Sequence, residues 1–510
     1  MPRFSLLINS TALSLCLPAT MALADLTADE VWADWQAYMA STGYVVSGSE
    51  ARGNGSVTVT DLSMRSALGE TPADGALEVS MGTIEFREQG DGTVAVVLPA
   101  RNAYRMDLAP ETGEKIAMTL VYDQTDHNMV ASGDPSEITY AYTAQSACMT
   151  LDSLTVDGVA IGEDVARIAM TMTDVAYENR TSTDTLRNVA QSMAVAGLSY
   201  DLNFADPEGE GTVGLKGAMQ GLAFEGAGTL PLQSETQDIN AMLSDGFAFD
   251  GAFTTQSGNY DMSFSGPDGS GTVNNTSQGA DLRASLGPDG LTYDVRQREV
   301  NTNMLMTEFP LPLSFSAAEV GTGITMPLQK SNEEQDFGLA ITLSDFTMSD
   351  LIWGLFDPEG QLPRDPATIA IDLSGKAKVL FDFLDPAQAA VLEETGALPG
   401  ELNALTLNAL TLDVAGAKLT GTGDFVFDNG DLVTFDGMPR PEGTVNLSLV
   451  GGNGLLDKLV GMGLVPQDQA MGARMMMGLF AVPGAGPDTL NSLIEVTPEG
   501  QVLANGQRIR

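Results

Sequence analysis

The sequence predicts an α+β protein dominated by antiparallel sheet, long, twisted and curved, with a short N-terminal helix and a C-terminal helical segment. Three observations carry this. Apolar residues recur at every second position through most of the chain, the runs are separated by Gly-, Asp-, Asn- and Pro-rich turn chemistry, and one hairpin is written twice, sixty residues apart.

The chain opens with Arg3, an apolar stretch from Leu6 to Leu17, Pro18 and the triplet Ala22, Leu23, Ala24. This is the pattern of a secretory signal peptide over residues 1–24, with cleavage expected after Ala24 to leave Asp25 first. Cys16 follows Leu15 rather than a small residue, so lipidation is rejected. Thr27 and Glu30 then form a capping box, and Trp32, Trp35 and Met39 recur at helical spacing until Gly43. Beyond Gly43 the period becomes two: Val57 and Val59; Leu77, Val79 and Met81; Ile84 and Phe86; Ile116, Met118, Leu120 and Tyr122; Ile138, Tyr140 and Tyr142. Gly90-Asp91-Gly92 and Gly133-Asp134-Pro135 separate such runs, which points to hairpins and meanders rather than strand-helix-strand units.

The duplicated hairpin is Tyr200, Asp201, Phe204, Pro207, Gly209, Gly211, Thr212, Val213, which reappears as Tyr260, Asp261, Phe264, Pro267, Gly269, Gly271, Thr272, Val273. Each copy is an alternating strand, a turn and a return strand. Short helices are expected after Ser234, near 349–357 and near 386–394. The last third returns to strands through Leu405, Leu407, Leu410, Leu412, Phe425 and Phe427, then becomes helical over 455–480 with a break at Pro466. Asn505-Gly506 closes the chain with a tight-turn signal. These elements divide the chain into the signal (1–24), a helix plus antiparallel unit (25–195), a duplicated-hairpin unit (196–310) and a C-terminal unit with helices (311–510).

Composition excludes several chemistries. With 68 acidic against 24 basic residues and a net charge of −44, the chain repels nucleic acid and anionic headgroups. One histidine, His127, and one cysteine beyond the signal, Cys148, cannot supply the three or four ligands of a transition-metal site or form an intrachain disulfide. Gly209, Gly211 and Gly214 match a dinucleotide-loop spacing, but they lie between expected strands and the second copy has Asn274 in the third place. No catalytic motif, cofactor or metal site is read. Nothing after Ala24 has the apolar length of a transmembrane helix.

The opening helix Val31, Trp32, Ala33, Asp34, Trp35 with Gly43 and Tyr44, the segment Gly454, Leu455, Leu456 to Gly463, Leu464, and the closing Ala504, Asn505, Gly506 resemble the family of exported Gram-negative proteins called domain of unknown function 2125. That family carries no assigned activity. A more distant likeness is to envelope proteins of the AsmA and YdgA type, which implies a link to lipid homeostasis at the level of fold analogy.

The expectation is a non-catalytic, exported protein of the periplasm, or alternatively of the extracellular space. It would hold a lipid-like ligand or dock an envelope partner. The 25 methionines are the most unusual apolar feature, and Met471, Met475, Met476, Leu479 and Phe480 are the candidate apolar surface. The alternatives are a scaffold without ligand and a carboxylate-dependent glycan hydrolase, which would need two acids across a cleft with one carboxyl pKa raised. Oligomeric state is not readable.

Overall fold

The computed structural model describes residues 25–41, 44–67, 75–108, 114–206, 209, 211–232, 239–309, 311–385, 388, 392, 394 and 398–510. Its strands join one antiparallel sheet. After helix α1 (Ala28–Ser41), β1 (Val45–Gly53), β2 (Ser56–Ala67) and β3 (Gly75–Glu88) form a meander. The next two rungs are each built from two strands laid end to end. β4 (Val94–Val97) and β5 (Arg101–Leu108) both pair with β3, and β6 (Ile116–Thr125) and β7 (Asn128–Asp134) both pair with β8 (Glu137–Val156). A short β9 (Val159–Ala160) folds back on β8, and β10 (Ala166–Thr183), β11 (Leu186–Ala205) and β12 (Thr212–Pro231) continue the row.

Helix α2 (Ile239–Ser244) precedes a second pair of split rungs. β13 (Ala248–Thr255) and β14 (Ser257–Gly266) both pair with β12, while β15 (Gly269–Ser277) and β16 (Ala280–Gly287) both pair with β17 (Gly290–Met306). From there the order is simple: β18 (Leu313–Met326), β19 (Gln335–Met348), helix α3 (Asp350–Phe356), β20 (Ala367–Val379), β21 (Gly400–Val414), β22 (Ala417–Asp428) and β23 (Arg440–Val450). Helices α4 (Gly452–Gly461) and α5 (Gln467–Phe480) follow, then β24 (Val482–Pro483), β25 (Thr489–Val496), β26 (Val502–Ala504) and β27 (Gln507–Arg508).

The local rules read from sequence operate here. Thr27 N donates to Glu30 Oε2 at 2.9 Å and Glu30 N donates to Thr27 Oγ1 at 3.3 Å, so the capping box starts α1. The duplicated hairpins are β11–β12 and β14–β15; they lie side by side, with Val213 opposite Phe264 and Leu215 opposite Met262. Asn505 and Gly506 have φ of 52° and 79°, the left-handed pair a two-residue turn between β26 and β27 requires. The expected 455–480 helical segment is α4 and α5, separated before Gln467 by Pro466, and the helix near 349–357 is α3. Residues 1–24, the cap at Ser234 and most of the helix expected near 386–394 lie outside the described residues. The sheet runs without interruption through the limits drawn at 195 and 310. The first falls inside β11, and the second between β17 and β18, which are hydrogen-bonded neighbours.

Strict alternation does not describe the long strands, because a crease crosses them. Asp61, Gly82, Asp174, Gly221, Glu299 and Asp345 sit mid-strand with φ between 48° and 62°. At such a residue the chain skips one position and the side-chain phase shifts. Apolar neighbours on one face are therefore Met172 and Val175, Met219 and Leu222, or Leu343 and Phe346. The split rungs break along the same line, at residues 98–100, 126–127, 256 and 278–279. Gln256 N donates to Gln220 O at 2.9 Å and Gln278 N to Arg298 O at 2.9 Å, which carries the line across the breaks.

Burial is concentrated at the N-terminal end. Leu26, Val31, Trp32 and Met39 pack with Val57, Val59, Leu62, Ile84, Phe86, Val94, Ala131 and Tyr140. The single helix α1 reaches from β1, where Arg52 Nε donates to Asp29 Oδ1 at 2.8 Å, to β11, where Arg187 Nη1 lies 2.9 Å from Asp34 Oδ1. Eight rungs at about 4.8 Å would spread over roughly 34 Å if flat, so the sheet wraps the helix. Among the described residues no helix forms a second layer over β13–β21, whereas α4 packs on β22 and α5 on β25. The chain's accessible surface of 29251 Å² far exceeds the roughly 18,000 Å² that a compact protein of this mass exposes.

Candidate functional site

The side chains of directly paired residues share a face, and successive residues alternate. Following the pairings therefore assembles each face residue by residue. One row runs Tyr142, Tyr177, Met193, Phe224, Phe253, Leu282, Val295, Thr322, Ile341, Ile371, Leu410, Gly421, Leu447, each the partner of the next. It crosses thirteen strands, a distance of about 60 Å. A parallel row, Tyr293, Ile324, Leu339, Leu373, Leu407, reinforces it. On the other side of the crease, Ile168, Leu202, Leu215, Met262, Val273, Met304 and Leu313 form a matching row on the same face.

The crease gives these two apolar walls a floor. Ala144, Ala147, Val175, Val195 and Leu222 are buried there, and no described second layer is needed for it: Tyr122, Tyr142, Met172, Met193, Leu198, Met219 and Phe253 of the sheet itself pack against them. Burial without a covering layer requires the two wings to fold toward each other over the crease. Tyr122 and Tyr142, one from each wing, bring their hydroxyls to 3.3 Å across it, and the Tyr142 hydroxyl also donates to Gln124 Oε1 at 2.5 Å. Burial pushes the hydroxyls of Tyr104, Tyr142, Tyr177 and Tyr200 above the ordinary tyrosine value, as a low-dielectric trough would.

The opposite face is polar. Arg167 and Lys216 pair with Asp201, Arg180 with Glu137, Arg296 with Asp294, Lys376 with Asp336, and Lys418 with Asp413. An open depression of about 960 Å³ at the strand ends is lined by Arg180, Asp250, Asp289, Glu334 and Asp336 beside Phe249. The sheet is thus amphipathic across its whole width, yet along β17–β19 Tyr293, Val320, Ile324, Leu339 and Ile341 on its apolar face stay 37–41% exposed. Contiguous apolar exposure of this extent on a well-formed wall is the mark of a binding surface.

Besides the exposed pairs of Arg52 with Asp29 and Glu50, the trough side holds the more buried ion pair Asp34–Arg187, at the α1 end. The carboxylate also accepts from Tyr140 Oη at 2.7 Å, and the guanidinium lies over the Tyr38 ring at 5.2 Å. This pair anchors the helix that fills that end of the trough. At the far end, Asp488 fixes α4: its carboxylate accepts from Asn453 Nδ2 at 2.8 Å and from Gly454 N at 2.8 Å. Burial would raise this carboxyl, but these hydrogen bonds hold it below the usual aspartate range. Gly451, Gly452 and Gly454 therefore open a helix.

The candidate residues named from sequence are not in the trough. Met471, Met475, Met476 and Leu479 are on α5 and 51–72% exposed, while Phe480 is half-buried, its carbonyl accepting from Ser492 Oγ at 2.6 Å and Asn505 Nδ2 at 3.0 Å. Asp25, the residue after the expected cleavage point, is exposed, and Leu26 next to it is buried in the α1 core. His127 Nε2 meets Leu98 O at 3.0 Å beside the crease, and Cys148 is a free, half-buried thiol on β8. In the sequence the trough residues are readable only as alternating strands. Their signal is an apolar spacing of three across an Asp, Glu or Gly, as in Met172-Thr173-Asp174-Val175.

Among the described residues no helix is long and apolar enough to cross a membrane. No curated protein and no solved structure matches the chain. Of the segments that carry the sequence resemblance, Gly454 to Leu464 falls within a family match, whereas the opening helix and Ala504-Asn505-Gly506 fall outside it. From the first residue of β13 to the residue after β25, positions 248–497, the chain matches the model of a family described as an uncharacterized protein conserved in bacteria, DUF2125.

Proposed function

We propose that this is an exported, non-catalytic protein of the cell envelope that holds the acyl chains of a lipid, or a lipid-like molecule, along the creased trough. The observation that carries it is the creased apolar trough whose wall side chains along β17–β19 stay exposed, opposite a face laced with ion pairs. A sheet this amphipathic normally buries its apolar side against a second layer. An elongated apolar ligand would supply that layer and remove the exposed side chains from water, at roughly 25 cal/mol per Å² covered. Export is read from residues 1–24, and the lone Cys148 is compatible with an oxidising compartment. A carboxylate-dependent hydrolase is less well supported. Its general acid would need a raised pKa, whereas the described carboxyls whose values move, Asp91, Asp134, Asp357, Asp431 and Asp488, all move down.

The test is mass spectrometry of organic extracts from protein purified without detergent, comparing wild type, the double variant Ile324→Glu with Ile341→Glu, and Ala340→Glu. Ala340 is on the same strand as Ile341 but on the polar face. The expected result is a stoichiometric lipid in wild type and Ala340→Glu that is lost in the double variant. A lipid-free wild type, or retention in all three, would overturn the reading and favour a scaffold or partner-docking role.

A further inference from the structure

We infer that α5 is a membrane-contact helix: it lies flat on a lipid surface through Met471, Met475, Met476 and Leu479. Positions 471, 475 and 479 recur every fourth residue, so they form one stripe along a helix of fourteen residues, and Met476 widens it. These four are 51–72% exposed, and Leu464 before the helix and Val482 after it are 51% and 45% exposed. The opposite side is held by the protein: Ala470 is buried, and Arg474 pairs with Asp457 of α4.

Charge identifies the occupant. The whole chain carries −44, yet residues 451–487 contain only Asp457, Lys458, Asp468 and Arg474, two acids against two bases. This neutral window coincides with the exposed stripe. A helix with an apolar stripe and little net charge suits the headgroup–acyl boundary of a zwitterionic bilayer, while the acidic remainder is repelled by anionic lipid. The unbranched methionines adapt to a fluid surface better than a fixed jigsaw partner would require. Position adds a reason. Ser492, whose side chain binds the last carbonyl of α5, is paired with Leu447 at the end of the long apolar row, so contact through α5 would bring the trough's C-terminal end to the membrane. The inference stands without the trough's being occupied, since it rests on the stripe and its charge.

The experiment is flotation of the purified protein with phosphatidylcholine–phosphatidylethanolamine vesicles, alongside M471Q/M475Q/M476Q/L479Q. Both proteins must carry the same N-terminus, checked by mass spectrometry. Wild type is expected to float and the quadruple variant to lose at least about tenfold in vesicle affinity, with unchanged circular dichroism. Adding phosphatidylglycerol should weaken wild-type binding at low salt, and added salt should restore it. In a second variant, Met475→Trp, the new indole should be quenched by brominated lipid. Equal flotation of wild type and quadruple variant, no flotation of either, or an indole that brominated lipid leaves unquenched would overturn the inference, as would a concentration-dependent dimer that the quadruple substitution abolishes. Lipid extraction from both proteins separates the two proposals: loss of flotation in the quadruple variant with retained trough lipid supports both, and flotation of a lipid-free wild type that the quadruple variant loses supports only α5.

Discussion

Residues under α1 and residues along β17–β19 are built from the same kind of strand and end in different environments. Ile84 alternates along β3 and is fully buried, because Trp32 and Trp35 of α1 come down on its neighbour Phe86 with ring centroids 5.5 and 5.3 Å away. Ile341 alternates along β19 in the same way and remains 40% exposed, because no described element lies over it. Strand pattern therefore selects a face, and only a covering layer turns that face into a core. At one end the chain supplies the layer from its own sequence. Along β17–β19 no described element covers that face.

The comparison is most open to attack through one substitution made in both places. Ile84→Ala removes packed atoms from a closed site and is expected to cost about 2–5 kcal/mol, whereas Ile341→Ala should cost less than about 1 kcal/mol in lipid-free protein. Urea unfolding followed by tryptophan fluorescence, which reports Trp32 and Trp35 at the α1 end and Trp353 on the helix after β19, measures both. Similar costs would mean that the open wall is covered in solution, and the single-layer description would fail. If added lipid raises the cost of Ile341→Ala alone, the ligand is acting as the missing layer.

Local chemistry was legible where a few residues decide the outcome. The Thr27–Glu30 box, the repeated hairpin and the Asn505-Gly506 turn each follow from backbone geometry that their own side chains satisfy. The crease was not legible, because Asp174, Glu299 and Asp345 look like ordinary solvent-facing residues and only their positive φ shifts the phase. Nor could alternation reveal the trough. A half-buried strand and a strand facing an empty trough have the same pattern, and the difference depends on elements far away in the chain. The Met-rich helix was legible as apolar, but its exposure depends on which side α4 occupies. The family match reflects the same division: it spans the open half and stops short of α1 and its core.

The covered end also depends on a buried charge. Removing Asp34 leaves Arg187, with 5% of its side chain exposed, without its carboxylate and takes the acceptor from Tyr140. Asp34→Ala is expected to destabilise by about 3 kcal/mol, and Asp34→Leu with Arg187→Met by much less, because no charge is then stranded. Proteolysis should show the single variant cut first within α1, with the β13–β25 region still protected. Uniform loss across the chain would mean that the two ends are one cooperative unit and the contrast drawn between them is only geometric.

The smallest expected effect concerns the crease that both ends share. Glu299 occupies the left-handed region at φ 48°, where a Cβ crowds the backbone and glycine does not. If the crease is a requirement of the sheet rather than a consequence of the side chain, Glu299→Gly should stabilise by up to about 1 kcal/mol and leave lipid content unchanged. Glu299→Val should destabilise by about 1–2 kcal/mol, since a β-branched residue tolerates that backbone least. Denaturant midpoints at constant slope distinguish the two, and the sign matters more than the size. A glycine that destabilises would show that the acidic side chain itself holds the bend, and the other mid-strand acids, Asp61, Asp174 and Asp345, would then be determinants of the crease rather than residues the backbone merely tolerates.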